Sequence, residues 1–261
     1  MSQSTNNING KLALITGASG GIGAACASQL ILEDCDLALT YSSNKLNIEE
    51  LVAQLRKAHE VNRPEAGYLR ISVHKADLSN SEECVKLCED VKKEHGRSVD
   101  ILVSNAGYGK RITDVEDIPL DVFEYTIKLN LTASFILVKC LVDGMKAKKW
   151  GRIIFVSSIS SRGVGLNGCH YAASKGGLTS MMKNLASKLA SFGITVNDVS
   201  PAMIGETGMI PNSTSVPGLV DSIPVGRLGL PEEVANVVTM FCKTGYATGQ
   251  SFLLAGGLNH K

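Results

Sequence analysis

A tyrosine and a lysine one helical turn apart are the residues of this chain whose types and spacing suit proton transfer. The stretch "YAASK" places Tyr171 and Lys175 on the same face of a predicted helix. A nearby cation favours the phenolate, so Lys175 should lower the tyrosine pKa from about 10. By spacing alone, however, such a pair is usually part of a solvated helix surface.

Two further polar residues favour a site over a solvated surface. Ser158 ends the apolar run "GRIIFVSS", which precedes the helix that carries Tyr171. Asn130 lies in the apolar helical stretch "IKLNLTASFILV", where an amide needs hydrogen-bond partners and a bound water would provide them. Asn130, Ser158, Tyr171 and Lys175 are therefore candidate site residues.

A glycine-rich corner near the start of the chain predicts a phosphate site. In "ITGASGGIG", residues 15–23, Gly17, Gly21 and Gly23 lie between an apolar run and a helical pattern. Glycine costs conformational entropy, so this corner must need a positive φ or a close approach to its backbone. The free N–H groups at the start of a helix suit a pyrophosphate. A tight crossover without a ligand is the alternative that the motif alone leaves open.

Two other segments end predicted strands and are expected at the same sheet edge. "SNAG" (104–107) ends the fourth strand, and Asp77 and Leu78 end the third. Ligands of open parallel sheets lie at the carboxyl ends of the strands, so Asp77 could accept a hydrogen bond from an adenine amino group. Asp77 could also, or instead, cap the helix that begins at "SEEC".

The elements that position these residues alternate along the chain. Apolar, β-rich runs at 11–16, 36–41, 68–76, 99–105, 151–158, 194–200 and 250–254 alternate with helical patterns at 21–33, 47–60, 81–95, 121–148, 170–191 and 231–242. The alternation predicts one doubly wound α/β domain over 1–261, with a parallel sheet of about seven strands and helices on both faces. Within it, we expect a flexible N-terminus at 1–9 and a substrate lid at 202–229.

The composition argues against several classes of protein. Hydrophobic residues make up 44% of the 261 residues and the net charge is +1, which offers no global attraction to nucleic acid or to an anionic membrane. No apolar run is long enough to span a bilayer, and "MSQSTNNING" has no signal or transit features. Seven scattered cysteines indicate a reducing compartment, and no metal-ligand set accompanies Cys84 and Cys88. We expect a cytoplasmic protein without a metal.

The motifs together resemble the short-chain dehydrogenases/reductases. "TGASGGIG", "NAG", Asn130, Ser158 thirteen residues before Tyr171, "YAASK" and "SPAMIGET" occur in the order typical of that family. The resemblance runs from about residue 8 to "LLAGGLNH", and it is closest to the 3-oxoacyl-(acyl carrier protein) reductases, particularly the fungal ones. It implies a Rossmann-type fold and the reduction of a ketone to a secondary alcohol.

The resemblance also implies a role for each candidate catalytic residue. Tyr171 would protonate the developing alkoxide during hydride transfer, and Lys175 would bind the nicotinamide ribose. Ser158 would donate a hydrogen bond to the substrate oxygen where charge develops. Asn130 would hold a water that links Lys175 to solvent.

The expected cofactor is NADP(H), bound along the predicted sheet edge. A carboxylate after the second strand would repel a 2′-phosphate, and "TYSSNK" has none there, while Lys45 adds a positive charge. The expected cofactor-binding residues are Gly17, Ser19, Gly21, Ile22, Gly23, Tyr41, Ser42, Ser43, Asn44, Asp77, Leu78, Asn105, Ala106, Gly107, Tyr171, Lys175, Pro201, Ile204 and Thr207.

The chain departs from the family pattern at two places. After Pro201, the usual glycine is Ala202, and Ile204 and Thr207 are one residue farther apart than is common. We therefore expect Ile204, more than Thr207, to contact the nicotinamide amide. Near the end, Ala255 replaces the acid of the usual V-D-G-G, and that acid is expected to be structural.

The resemblance points first to a 3-oxoacyl thioester as the substrate. A broad-range small ketone or polyol is the alternative, and an inactive scaffold is a third. An acidic carrier protein would need basic residues, which "MKAKKWGR" supplies as Lys146, Lys148, Lys149 and Arg152, with Lys110 and Arg111 after "NAG". A solvated helix end is the competing interpretation of that cluster. The family also implies a homotetramer, with interfaces on 121–148, 170–191 and the last strand.

Overall fold

Seven strands form the central sheet of the computed structural model, which describes residues 6–63, 69–163, 165–210, 212, 218 and 220–258. The strands are β1 (Leu12–Ile15), β2 (Asp36–Tyr41), β3 (Ile71–Lys75), β4 (Ile101–Ser104), β5 (Gly151–Val156), β6 (Ile194–Pro201) and β7 (Ser251–Leu254). All six neighbouring pairs are parallel, in the order β3-β2-β1-β4-β5-β6-β7. The order reverses between β1 and β4, and at such a switch point a crevice opens at the carboxyl ends of the strands. This confirms the predicted fold class.

Helices cover both faces of the sheet. They are α1 (Gly21–Leu32), α2 (Lys45–Asn62), α3 (Ser81–His95), α4 (Leu120–Ile127), α5 (Ala133–Lys148), α6 (Cys169–Leu189) and α7 (Pro231–Lys243). Successive strand residues point to opposite faces, so Ala13 and Ile15 pack with α1, α2 and α7, whereas Leu12 and Leu14 pack with α3, α5 and α6. The core is therefore two apolar layers separated by the sheet.

The single helix predicted over 121–148 is interrupted. A π-helical turn, Lys128–Thr132, separates α4 from α5 and contains the buried Asn130. The whole stretch Leu120–Lys148 is long and apolar enough to cross a membrane by length and composition alone, which differs from the expectation that no such run exists. Leu137, Leu141 and Met145 of this stretch lie in the core against the sheet, as in the core helix of a globular protein.

The expected flexible N-terminus and lid lie partly outside the described residues. Residues 1–5 of the first and residues 211, 213–217 and 219 of the second are outside. Ile8 is buried and its carbonyl accepts a hydrogen bond from the Cys35 thiol, while Asn9 donates to Asp34. Ile8 and Asn9 thus contact the rest of the domain, and the flexibility expected for 1–9 stays a prediction.

Candidate active site

One cavity of about 750 Å³ lies at the carboxyl edge of the sheet and gathers most of the predicted site. Ser158, Tyr171 and Lys175 line it from β5 and α6. The predicted cofactor-binding residues that also line it are Gly17, Ser19, Gly21, Ile22, Tyr41, Ser42, Asp77, Leu78, Asn105, Ala106, Gly107, Pro201, Ile204 and Thr207. Gly23, Ser43 and Asn44 do not belong to this lining. The catalytic and nucleotide-binding predictions therefore converge on one cavity.

The glycine corner between β1 and α1 is fixed by hydrogen bonds from two neighbouring strands. Gly17 has φ +62°, in the left-handed region that favours glycine. Its N–H donates to Thr40 Oγ1 at 3.1 Å, and Asn105 Nδ2 donates to the Thr16 and Gly17 carbonyls. No side chain caps α1 among the described residues, so its first N–H groups remain suited to an anion.

Gly23 and Asn44, two of the expected cofactor-binding residues, have structural roles in the protein. A side chain at Gly23 would collide with the Gly17 carbonyl, so this glycine allows the corner to pack on α1. Asn44 is the N-cap of α2, where its Oδ1 accepts from the Asn47 N–H at 3.1 Å. Lys45 forms an exposed ion pair with Glu49. The polar group of this loop that reaches the cavity is Ser42.

Asp77 lines the cavity and does not cap the following helix. Its Oδ1 accepts from both the N–H and the hydroxyl of Ser79. The cap of α3 is Asn80, which accepts from the Glu82 and Glu83 N–H groups. The capping interpretation of Asp77 is therefore wrong, because an asparagine three residues later satisfies the free N–H groups of this helix.

Tyr171 is buried in the first turn of α6 beside Ser158. Burial raises the pKa of Tyr171 to about 12, and a hydrogen bond from Ser158 opposes that rise. Ser158 is itself held, because its Oγ accepts from the Ser160 N–H at 3.1 Å. This differs from the expectation that Lys175 lowers the tyrosine pKa. Desolvation of the phenolate outweighs the interactions that stabilise it.

Lys175 is buried below the tyrosine ring. Its Nζ lies 5.8 Å from the centroid of the Tyr171 ring and donates to the Val156 carbonyl at 2.8 Å. Burial lowers the pKa of Lys175 to about 8, and the charge of Asp198 opposes this. Asp198 is fully buried on β6, and the sequence analysis missed it. An acid between Val196 and Val199, in a predicted strand of the parallel sheet, was the signal that could have identified it.

Asn130 holds the segment after β4 in place. Its Oδ1 accepts from the Tyr108 N–H at 2.7 Å, and its Nδ2 donates to the Tyr108 carbonyl and to Ser174 Oγ. Both amide hydrogens are thus used within the protein, whereas the sequence analysis expected this side chain to hold a water. A bound water would have to donate its hydrogen bond to Asn130 Oδ1, which can accept a second one.

The rest of the cavity has a largely apolar wall. Leu129, Leu166, Met203, Met209 and Ile210 contribute to it. Tyr108 and Tyr125, which the sequence analysis also missed, meet edge to face with ring centroids 5.1 Å apart. The position of Tyr108 directly after "NAG" was the available signal.

The basic cluster 145–152 lies away from the cavity in this chain. Arg152 is 1% exposed and donates to the Cys242 carbonyl, and Lys148 pairs with Asp100. The cluster lies at the amino end of β5, whereas the cavity opens at the carboxyl ends. Of the six basic residues predicted for a carrier protein, Arg111 belongs to the cavity lining.

No group of His, Cys, Asp or Glu within the described residues could hold a metal ion. The cysteines there are free thiols, and burial raises the pKa of Cys84 to about 11 and that of Cys26 to about 12. Cys26 and Cys84 pack in the two core layers. Their burial agrees with a structural use of the thiols.

Comparison with known proteins finds relatives over nearly the whole chain. The short chain dehydrogenase family model matches residues 11–216. A 3-oxoacyl-(acyl-carrier-protein) reductase of Rickettsia bellii is 34% identical over 260 residues, covering 97% of this chain and 98% of that protein. An acetoacetyl-CoA reductase of Shinella zoogloeoides is 32% identical over 251 residues, covering 95% and 98%.

Solved structures show the same architecture. A blue fluorescent protein from a metagenomic library, in complex with NADPH, superimposes with a TM-score of 0.85 at 31% identity, covering 96% of this chain and 98% of that chain. A mutant short-chain dehydrogenase/reductase of Serratia marcescens also has a TM-score of 0.85, at 28% identity and the same coverage.

Proposed function

Because the chain belongs to the short-chain dehydrogenase/reductase family, we propose that it uses NADPH to reduce the ketone of a 3-oxoacyl thioester to a secondary alcohol. The observation that carries this proposal is that Ser158, Tyr171 and Lys175 line the same cavity as the glycine corner. A proton donor and a dinucleotide cradle in one cavity are what carbonyl reduction requires.

The cavity fits an extended dinucleotide. Gly17 and Gly21 line the cavity where α1 begins. A Cβ at Gly107 would make a tight contact, 3.4 Å from Lys175 Nζ. Gly17, Ser19, Gly21 and Ile22 would bind the pyrophosphate, Tyr41 and Ser42 the adenosine ribose, and Asp77 and Leu78 the adenine. Asn105, Ala106, Gly107, Lys175, Pro201, Ile204 and Thr207 would hold the nicotinamide half.

NADPH supplies the hydride when it is bound, and the protein supplies the proton and the electrostatic stabilisation. The Tyr171 hydroxyl donates its proton to the developing alkoxide. Ser158, fixed by the Ser160 N–H, donates a hydrogen bond to the same oxygen. Lys175 stabilises the phenolate that is left and binds the ribose hydroxyls. Asn130 acts as a positioning residue by holding Tyr108.

The preference for NADPH rests on the loop after β2. Its residues Tyr41–Lys45 contain no carboxylate that would repel a 2′-phosphate. Ser42 faces the cavity there and can donate a hydrogen bond. The similar structure with NADPH bound supports the same choice.

The thioester is favoured by the relatives and by the apolar wall. Both curated relatives described above are named for 3-oxoacyl or acetoacetyl substrates. Leu129, Leu166 and Met209 give an acyl chain a surface to contact. A broad-range reductase of small ketones or polyols is the second candidate, because the same wall accepts an uncharged ketone.

We also propose the assembly and the location of the enzyme. Phe135 on α5 is 52% exposed, and Phe192 and the β7 residue Phe252 are also exposed. Apolar side chains at these positions support a homotetramer built through α5, α6 and β7. We place this enzyme in the cytoplasm, and its substrate on an acyl carrier protein.

The test is a comparison of kcat/KM across cofactors and substrates. We expect NADPH to exceed NADH, and acetoacetyl thioesters to exceed small neutral ketones and polyols. A higher kcat/KM with NADH would refute the cofactor assignment. Equal values for plain ketones and thioesters would favour the broad-range alternative, and an absence of NADPH oxidation with every substrate would favour an inactive scaffold.

A further inference from the structure

The segment that leaves β4 is fastened to the protein at alternate residues. Tyr108 is held at both its N–H and its carbonyl by Asn130. The Lys110 carbonyl lies 3.0 Å from His170 Nε2, and because a carbonyl can only accept, His170 donates this bond. The Ile112 carbonyl packs directly on Gly168, where a side chain would collide with it.

Arg111 lies between the last two of these attachments. Its backbone is fixed on one side by His170 and on the other by the contact of Ile112 with Gly168. Both anchors belong to the start of α6, immediately beside Tyr171. The position of Arg111 is therefore coupled to the position of the proposed proton donor.

The guanidinium of Arg111 has no ion pair or hydrogen bond with the described residues, although it lines the cavity. The carboxylate in the described lining is Asp77, which is already bonded to Ser79. The lining thus contains a cation that makes no ion pair with the described residues, on a backbone that is held on both sides. Guanidinium groups bind carboxylates and phosphates through paired N–H donors.

From these contacts we infer that Arg111 is a substrate-binding residue that holds an oxyanion carried by the substrate. This inference rests on the proposed function and deepens it. The apolar wall of Leu129 and Met209 contacts the acyl portion, and Arg111 contacts a phosphate or carboxylate attached to it. In a thioester of coenzyme A or of a carrier protein, the oxyanion is the phosphate of the pantetheine arm; in a free 3-oxo acid it is the carboxylate.

Two matched substrate pairs separate these sources. Acetoacetyl-CoA carries phosphates, whereas the acetoacetyl thioester of N-acetylcysteamine carries none. Acetoacetate carries a carboxylate, whereas its methyl ester is neutral. The variant is Arg111→Gln, with Arg111→Lys as the charge-preserving variant and Arg162→Gln as the control, since Arg162 is an exposed cation outside the cavity lining.

We expect Arg111→Gln to lower kcat/KM about tenfold for the anionic member of one pair, through KM, because a charge-assisted hydrogen bond is lost. The neutral member, kcat and NADPH binding should change less than about twofold, and Arg111→Lys should restore part of the loss. High salt should reduce the advantage of the anionic substrate in the wild type. A loss confined to acetoacetyl-CoA would identify the oxyanion as a phosphate, and a loss confined to acetoacetate would identify it as a carboxylate.

Equal losses for charged and neutral substrates, or no loss for either, would overturn the role of Arg111 while leaving the proposed function intact. The same loss in Arg162→Gln would also overturn it, because that result would report only the net charge of the surface. A wild-type protein that oxidises no NADPH with any of the four substrates would overturn the proposed function itself.

Discussion

Tyr171 and Lys175 have pKa values displaced in opposite directions by the same cause, burial. The tyrosine pKa rises to about 12 and the lysine pKa falls to about 8, because a low-dielectric site disfavours both charged forms. Tyr171 therefore keeps its proton throughout the neutral range and is ready to donate it. The group whose charge changes near neutral pH is the lysine, so its protonation should control the activity.

Asp198→Asn tests this control of activity by Lys175. The Asp198 charge opposes the lowering of the lysine pKa, so its removal should move the loss of kcat/KM at alkaline pH to a lower pH. In the wild type, we expect that loss as the pH rises through about 8. The measurement is the pH profile of kcat/KM, with Glu50→Gln on the exposed surface of α2 as the control.

A purely structural role for Asp198 would change stability or kcat at every pH without moving the midpoint of the profile. An unchanged midpoint in Asp198→Asn would therefore contradict the electrostatic coupling. The Glu50→Gln profile should coincide with that of the wild type, because the Glu50 charge is exposed and screened.

At the scale of elements, α2 offers a test that separates capping from cofactor binding. Asn44 accepts the Asn47 N–H at the start of this helix and lies outside the cavity lining, whereas Ser42 lines the cavity. We expect Asn44→Ala to lower the free energy of unfolding by about 1 kcal/mol and to leave NADPH affinity nearly unchanged. Ser42→Ala should show the reverse pattern in denaturant unfolding and NADPH titration. A large affinity loss in Asn44→Ala would restore its predicted contact with the cofactor.

Two buried histidines, His74 on β3 and His95 on α3, should make the stability of the protein depend on pH. Ser72 Oγ lies 2.8 Å from Nε2 of both His74 and His95, and burial lowers both imidazole pKa values. Glu94, Asp90 and Asp36 oppose that effect without reversing it, while Lys86, Arg70 and Arg97 add to it. Unfolded imidazoles take up protons near about pH 6.5, so this contribution to stability is complete above that pH and is lost as the pH falls below it.

The measurement is the free energy of unfolding in urea at several pH values on either side of about 6.5. Replacing His74 by Gln should reduce the slope of stability against pH below that value. A slope that is the same in the wild type and in His74→Gln would show that this pair does not respond to pH as its burial implies.

Helices and strands could be predicted from the sequence where a local residue pattern determines them. Parallel strands buried on both faces are continuous apolar runs, so "LALI" and "ILVS" were recognisable without the structure. The π-helical turn could not be recognised from the sequence. Its buried residue Asn130 forms hydrogen bonds with Tyr108, which lies in another segment of the chain. The choice of Asn80 over Asp77 as the cap of α3 also depends on backbone geometry that two nearby capping residues do not reveal.

The site was predictable to a similar extent. The spacing of Tyr171 and Lys175 on one helix and the glycine corner were visible in the sequence. The sign of the tyrosine pKa shift was not, because it depends on how completely the surrounding chain excludes water. Asp198 and the anchors of Arg111 likewise arise from contacts between segments distant in sequence.

At the scale of the whole molecule, we expect a tetramer that depends on α5. Phe135 on α5 and Val61 on α2 are both exposed, at 52% and 70%, but α2 is not in the proposed interface. By light scattering at micromolar concentration, the wild type should have the mass of four chains. Phe135→Asp should shift it to smaller species, because a charge is costly in an apolar interface, and Val61→Asp should not. A monomeric wild type would refute the proposed assembly.

The most direct test of the central claim compares the wild type with Tyr171→Phe, using NADPH and acetoacetyl-CoA and measuring both NADPH consumed and hydroxyacyl product formed. We predict equal amounts of each in the wild type and a rate about 10²- to 10⁴-fold lower in Tyr171→Phe, with NADPH affinity retained. Tyr246→Phe, at a fully exposed tyrosine, is the control and should match the wild type. A Tyr171→Phe protein that forms product at the wild-type rate would contradict the proton-transfer mechanism proposed for this cavity.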